Sequence, residues 1–260
     1  MTYYSQHIRP LFWGLFFALG FSLSSLGQTS LPFKKGEELK YELVYQWGLI
    51  WANAGVATFT VGDTLVEGEQ FWHFTGHGKS YPKWDWFYEV DSKYESYSTT
   101  NLASLRFKRQ GFEGSNVFDR DYHVKADSIY YRITDDDEAN ERHGVMEYKE
   151  DALDVVTAIY YCRALDFSSM TEGEKVPLKF YLDGGYYESY LRYSGEVTWK
   201  NPRTNEKIEC ILFKPSLIKG TIFKEGEHME VYVTNDAQRI PVYIETDLKV
   251  GKAKIYLLED

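Results

Sequence analysis

Large apolar and polar residues alternate along most of the chain with a period of two. That is the pattern of strands with one face on a core and the other in water. The first such stretch is Leu39-Lys40-Tyr41-Glu42-Leu43-Val44-Tyr45-Gln46-Trp47, where every odd position is large and apolar and three of the four even ones are polar. In a later stretch Trp84, Trp86, Tyr88 and Val90 alternate with Asp85, Glu89, Asp91 and Lys93 on the opposite face. The pattern returns at Ile129/Tyr131/Ile133, Tyr187/Ser189/Leu191/Tyr193, Met229/Val231/Val233, Ile240/Val242/Ile244 and Ala253/Ile255/Leu257. Turn-forming residues separate these runs, among them Gly62-Asp63, Gly111 to Gly114, Asp183-Gly184-Gly185, Asn201-Pro202 and Asn235-Asp236. About twelve strands at this spacing predict a mainly β chain, a single antiparallel meander forming a barrel or a strongly curved sheet.

One segment has helical spacing. From Asp151 to Phe167 the residues Leu153, Val156, Tyr160, Ala164 and Phe167 form one stripe, widened by Val155, Ile159 and Cys162. Asp151 is the expected cap of its first turn and Arg163 suits its last. A helix so apolar, over about 151–167, is expected to be buried, plugging the barrel or lying in the concave side of the sheet. About seven strands would precede it and five or six follow. The acidic run Asp135-Asp136-Asp137-Glu138 with Glu141 reads as a solvated loop between strand and helix. It lacks the sixth-position glycine of a calcium loop, where Asn140 stands.

Residues 1–27 do not fit the strand pattern. Arg9 precedes an apolar run from Leu11 to Leu26, and Ser25 and Gly27 place small residues three and one before Gln28. That arrangement predicts a signal peptide cleaved after about Gly27, leaving residues 28–260 as a single exported β domain. The run is short for a bilayer span, so no stable transmembrane segment is expected after cleavage. The leader holds one arginine and no carboxylate, so its loss takes the formal charge from −10 to −11. An acidic balance with no basic run argues against nucleic acid and anionic head groups as partners.

Catalytic signals are weak. His73-Phe74-Thr75-Gly76-His77-Gly78-Lys79-Ser80 resembles the end of a phosphate loop, but His73 stands where the first glycine belongs. His73 and His77 lack a third ligand at zinc spacing, so no metal or other cofactor is expected. There is no Gly-x-Ser-x-Gly, and Cys162 and Cys210 read either as two buried thiols or as one disulfide. Asp85, Glu89 and Asp91 are the best carboxylates for a carbohydrate-active enzyme, yet alternation sets them opposite the tryptophan stripe.

The aromatic endowment remains, at 17% of residues with 22 tyrosines. Trp47, Trp51, Trp72, Trp84, Trp86 and Tyr88, with Phe87, cluster in the first third of the exported chain. They read either as core or as the lining of a concave cavity for a lipid tail or hydrophobic peptide. Pro241, near a strand start, suggests a protected sheet edge, and Arg239 reads as a residue that holds its turn.

The order of several short motifs resembles a family of exported bacterial proteins, domain of unknown function 3108. They are Pro32-Phe33-Lys34-Lys35-Gly36-Glu37-Glu38-Leu39-Lys40-Tyr41, Ala54-Gly55-Val56-Ala57, Glu150-Asp151-Ala152-Leu153-Asp154 and Asp236-Ala237-Gln238-Arg239-Ile240-Pro241-Val242. The resemblance implies one envelope-located β domain with no assigned catalytic residues. The plan is also similar, at the level of fold, to the curved sheets that carry lipoproteins across the periplasm. The aromatic stripes, the buried helix and the failed catalytic motifs make the expected role that of a non-enzymatic periplasmic binding or accessory protein holding a hydrophobic ligand or partner segment. The alternatives are an assembly partner of another envelope protein through a sheet edge, and a carbohydrate-active enzyme.

Overall fold

The computed structural model describes residues 31–149, 151–217 and 226–259, with only the backbone of 137–140. The expected leader, residues 1–27, lies outside the described residues. Leu31–Asp260 forms one compact unit. Among the described residues there are fifteen strands, where alternation alone suggested about twelve. The first eight are β1 (Glu38–Trp47), β2 (Ile50–Val66), β3 (Glu69–Ser80), β4 (Val90–Thr99), β5 (Ser104–Glu113), β6 (Asn116–Lys125), β7 (Ser128–Asp135) and β8 (Asp137–Glu147). After them come β9 (Ala152–Leu153), β10 (Lys175–Leu182), β11 (Gly185–Lys200), β12 (Lys207–Pro215), β13 (Met229–Thr234), β14 (Pro241–Asp247) and β15 (Lys252–Leu257). Two helices complete the count, α1 (Asp85–Tyr88) and α2 (Val155–Ala164).

All the strands belong to one sheet, ordered β8-β7-β6-β5-β4-β3-β2-β1-β15-β14-β13-β12-β11-β10-β9. The first strand pairs with the last, and the seam falls mid-chain, between β8 and β9, shortly before α2, which links β9 to β10. The sheet is not closed by a hydrogen-bonded ladder, but its ends meet through side chains. The Arg120 guanidinium lies 3.1 Å from Asp183 and 2.5 Å from Asp135, the Gly184 N–H donates to the Tyr122 hydroxyl at 3.1 Å, and Tyr186 donates to the Glu147 carbonyl. Tyr122 and Tyr181 rings bridge the same gap at 5.5 Å.

The hollow is filled. Phe74 stacks on Tyr160 of α2 at 3.9 Å, Phe33 meets Tyr160 edge-on at 5.0 Å, and Phe107, Tyr122, Ile129, Ile133, Val156 and Tyr181 complete this cluster. Beyond the helix Phe167 starts a second cluster with Leu178, Leu191, Ile211 and Phe213. A third lies on the outer face, where Trp199 stacks on Tyr243 at 5.0 Å and Tyr243 packs on Tyr256 beside Val44. That outer cluster explains why Val44, at an even position, is buried.

Helix α2 is shorter than its apolar pattern. Ala152–Leu153 is drawn into a parallel pairing with β10, and Asp154 caps the helix in place of Asp151. The Asp154 carboxylate is fully buried and accepts from the Val156 and Thr157 N–H groups at 2.9 Å. It also accepts from the hydroxyls of Ser96 (2.7 Å), Ser104 (2.7 Å) and Thr157 (2.8 Å). Burial raises the pKa of this carboxyl above its ordinary value, and the hydrogen bonds from Thr157, Ser104 and Ser96 oppose that shift. At the other end buried Arg163 forms a two-point ion pair with Glu37 (2.6 and 3.0 Å) and donates to the carbonyls of Pro32, Gln238 and Arg239. Arg239 reciprocates by donating to the Arg163 and Leu165 carbonyls, so it holds the helix end as well as its own turn. Ile159 faces outward and is exposed, so the helix is not buried on all sides.

Other expectations change. The acidic run from Asp135 forms the β7/β8 hairpin, with Asp136 at φ +60°, instead of a loop leading to the helix. Pro241 opens an interior strand, so it marks no edge; its carbonyl accepts from Tyr41 at 3.0 Å. The edges are β8 and β9.

Asp154→Ala would strand three hydroxyls and two N–H groups in a dry interior. It is expected to cost about 3–5 kcal/mol in urea unfolding, with Asp154→Asn losing less because an amide oxygen still accepts from the helix N–H groups. Glu37→Gln leaves Arg163 buried without its counter-charge and is expected to cost about 3–5 kcal/mol in the same measurement.

Candidate functional site

Three connections gather at one end of the sheet. The first is the β1/β2 hairpin. Trp47 pairs with Ile50, which leaves Gly48-Leu49 as a two-residue loop, and Gly48 at φ +56° supplies the positive φ that such a loop demands at its first position. Tyr41, Leu43, Tyr45 and Trp47 alternate on the inner face, whereas Trp51, paired with Gln46, lies on the outer face under the Lys254 ammonium at 4.6 Å.

The second is the β14/β15 turn, closed by the Leu248 N–H donating to the Gly251 carbonyl at 3.0 Å. It packs tightly on the end of β1. A Cβ at Gly251 would lie 2.4 Å from the Gln46 carbonyl oxygen, and the Tyr45 hydroxyl donates to the Val250 carbonyl at 3.1 Å.

The third is the β3/β4 connection. Pro82, with its fixed φ and missing N–H, opens a 3-10 turn over Pro82–Trp84 that runs into α1. The expected strand through Trp84, Trp86 and Tyr88 is therefore absent, and these rings do not share one sheet face. The segment is tied down at both ends. The Tyr81 N–H and Trp84 Nε1 donate to the carbonyls of Ala54 (2.9 Å) and Asn53 (2.6 Å). At the far end the Gly114 N–H donates to the Glu89 carbonyl at 2.7 Å, and Tyr88 lies over Gly114, where a Cβ would come within 2.6 Å of its ring.

These connections raise a rim of uncovered apolar groups. Leu49 is 98% exposed, Trp86 80% and Phe87 74%; Trp47, Ile50, Trp51, Tyr88 and Val250 are about half exposed. Of the six rings expected to line a cavity, Trp47, Trp51, Trp86 and Tyr88 stand on this rim and Trp84 sits half-buried beneath it. Trp72 belongs to the packed interior, edge-on to Phe33 at 5.4 Å. The inner face next to the rim is charged. Arg109 lies over the Phe118 ring at 4.0 Å and donates to Glu113 at 2.9 Å, with Arg120 and Asp183 beside the seam.

Leu49, Ile50 and Val250 were missed as site residues. Their signal is the absence of charge from Leu43 to Gly62, a span covering most of a hairpin that in water normally carries charge on one face.

Most of the residues singled out for chemistry are engaged elsewhere, while the Glu89 side chain stands exposed. Asp85 accepts from the Ser80 hydroxyl at 2.6 Å. Asp91 is held by His77 at 2.8 Å, and that hydrogen bond keeps its carboxyl below the usual range. His73 stacks on Tyr97 at 4.5 Å. Both cysteines are free, and burial pushes the Cys162 thiol up to about 12 and the Cys210 thiol to about 11, far from a reactive thiolate. Among the described residues no cluster of His, Cys, Asp or Glu could hold a metal ion, and no helix is long and apolar enough to cross a membrane.

The architecture has a counterpart among solved structures. A beta-barrel-like protein of the DUF1849 domain of unknown function from Brucella abortus superposes with a TM-score of 0.54 over 85% of this chain and 95% of that one, at 6% identity. That likeness is one of fold alone. No curated relative matches the sequence. The family model described as "Protein of unknown function (DUF3108)" matches residues 40–258, and the chain belongs to that family.

Proposed function

We propose that this is an exported, non-enzymatic binding or accessory protein of the periplasm that engages a hydrophobic partner through its aromatic rim. One observation carries the reading: Leu49, Trp86 and Phe87 are among the most exposed side chains described, on connections that are themselves well anchored. An apolar patch that water alone covers is costly to keep and marks an interaction surface. The interior is the weaker candidate for a ligand. Its apolar part is occupied by α2 and its rings, and the end nearest the rim carries Arg109, Glu113, Arg120 and Asp183. The non-enzymatic part of the reading is supported by the tethered carboxylates and the two thiols held far above neutrality.

An environment-sensitive naphthalene dye tests the rim. The wild-type chain is expected to bind it, and the triple variant Leu49→Ser/Trp86→Ser/Phe87→Ser to lose roughly tenfold in affinity. The unfolding midpoint should move by less than about 0.5 kcal/mol per site, because exposed side chains contribute little to stability. Dye binding that survives the triple variant overturns the assignment to the rim. Cell fractionation with N-terminal sequencing tests export, with a mature chain starting at about Gln28 in the periplasmic fraction as the expected result; an unprocessed chain in the cytoplasm overturns it.

A further inference from the structure

We propose that the outer face of β5–β8, away from the rim, is a binding site for a neutral, extended oligosaccharide. In this inference the sugar chain runs across the strands into a cleft beside the terminal strand β8, with Tyr130 as the ring on which one sugar unit packs.

Register is the first argument. Arg106, His123, Tyr130 and Val145 are direct cross-strand partners and form one row over four strands, and His73 and Tyr97 continue it across β3 and β4. Asp121, Arg132 and His143 form a second row beside it. The opposite face of these strands carries Phe107, Tyr122 and Ile129 of the core, so both rows look away from the interior. A cleft of about 560 Å³ opens at the β8 end of the rows. It is lined by the whole second row, by His123, Tyr130 and Val145 of the first, and by Tyr131 and Gly144. That volume suits a small-molecule site.

Charge is the second. Asp121 holds Arg106 at two points (2.9 and 3.2 Å) and lies 3.2 Å from His123. Arg132 reaches Asp119 at 3.1 Å and Glu141 at 3.4 Å, and Glu141 holds His143 at 2.6 Å. Burial keeps the His123 imidazole below its ordinary pKa, so it is uncharged near neutrality. The cations and carboxylates at the cleft therefore answer one another, and the cleft is a specific site for neither an anion nor a cation. A guanidinium has five N–H donors and a carboxylate about four acceptor positions. Mutual pairing orients these groups and leaves capacity over for a ligand. Donors and acceptors side by side, with no charge left to satisfy, fit hydroxyl groups.

Ring placement and spacing are the third. Tyr130 is 46% exposed and Val145 60%, with the Lys125 ammonium 5.6 Å from the centre of the tyrosine ring. One uncovered ring among hydrogen-bonding groups is too little for a lipid. It matches a pyranose, whose C–H face packs on an aromatic ring while its hydroxyls reach the perimeter. Neighbouring strands lie about 4.8 Å apart, close to the length of one β-1,4-linked sugar unit. A chain laid across the strands thus brings one unit to each member of the row. An extended peptide, at about 3.3 Å per residue, falls out of step with the strands, and nucleic acid meets no excess of positive charge here.

Calorimetric titration of the purified chain with cellohexaose and chitohexaose tests the proposal. Maltohexaose, which is α-linked and curls, and anionic hexagalacturonate are the controls. At least one β-1,4-linked hexamer is expected to bind, roughly tenfold more tightly than its own disaccharide, because the row spans several strands. Tyr130→Ala should weaken binding roughly tenfold and His143→Ala several-fold. The unfolding midpoint should stay unchanged in both, since neither side chain is buried. Dye binding at the rim should also be unchanged in both, so the two surfaces stand or fail separately. Absence of binding by both β-1,4-linked hexamers overturns the proposal. Binding that Tyr130→Ala does not weaken, equal binding of maltohexaose, or a preference for hexagalacturonate overturns it as well.

Discussion

A helix with a carboxylate at one end and a guanidinium at the other can lie inside an apolar hollow only when protein groups satisfy both charges. Helix α2 meets that condition through residues distant in sequence. Ser96 and Ser104 reach Asp154 from β4 and the start of β5, while Glu37, Pro32, Gln238 and Arg239 surround Arg163. Each end of the helix is thus wired to a different part of the sheet. These bonds act over short distances in a dry region, so they specify one placement of the helix far more sharply than apolar contact does. Since α2 packs on β3 and β4 from one arm of the sheet and on β10 from the other, its placement also ties the two arms together. The ion pair need not add net stability over an apolar substitute of the same shape; its consequence is geometric.

The family-like motifs gain a physical meaning in this light. Glu37 lies in the opening motif, Asp154 ends the central one, and Gln238 and Arg239 belong to the last. Far apart in the sequence, in the fold they converge on the two ends of α2. The residues carrying the resemblance hold the architecture together, and the rim lies elsewhere, on turns whose sequence owes nothing to that requirement. Scaffold and interaction surface are therefore separable, which is why rim substitutions are expected to leave folding alone.

Much of the fold was legible because strand alternation is a direct consequence of one-sided burial. The interior apolar side chains of β1, β7, β11 and β13 follow the pattern as read. Misreadings arose where a short-range rule was outvoted. Trp84, Trp86 and Tyr88 alternate like a strand, but four residues are too few to separate period two from one helical turn, and Pro82 decided the matter. Asp151 looked like a cap because apolar spacing extends back to Leu153, yet Ala152 and Leu153 are taken by β10. The acidic run looked like a loop because charge hides an edge strand. The site was only half legible: the rings were visible as a cluster, while their exposure depends on which turns share an end, and that is a property of topology.

Topology also accounts for the asymmetry between the two ends of the molecule. In an antiparallel meander alternate turns fall at opposite ends, so one end collects the N-terminal segment with Phe33 and Glu37, the β13/β14 turn with Gln238 and Arg239, and the C-terminal end of α2. That end is sealed around α2 by the Arg163 and Arg239 clamp, although Leu65 and Val66 stand exposed on the β2/β3 connection there. The other end collects the β1/β2, β3/β4 and β14/β15 connections, which neither end of α2 reaches. Their backbones are satisfied by mutual hydrogen bonds such as Trp84 to Asn53 and Tyr45 to Val250, so they are held in place without their side chains being buried. Firm backbones beneath uncovered rings are what a docking surface requires, because little conformational entropy is then lost when the rings find a partner.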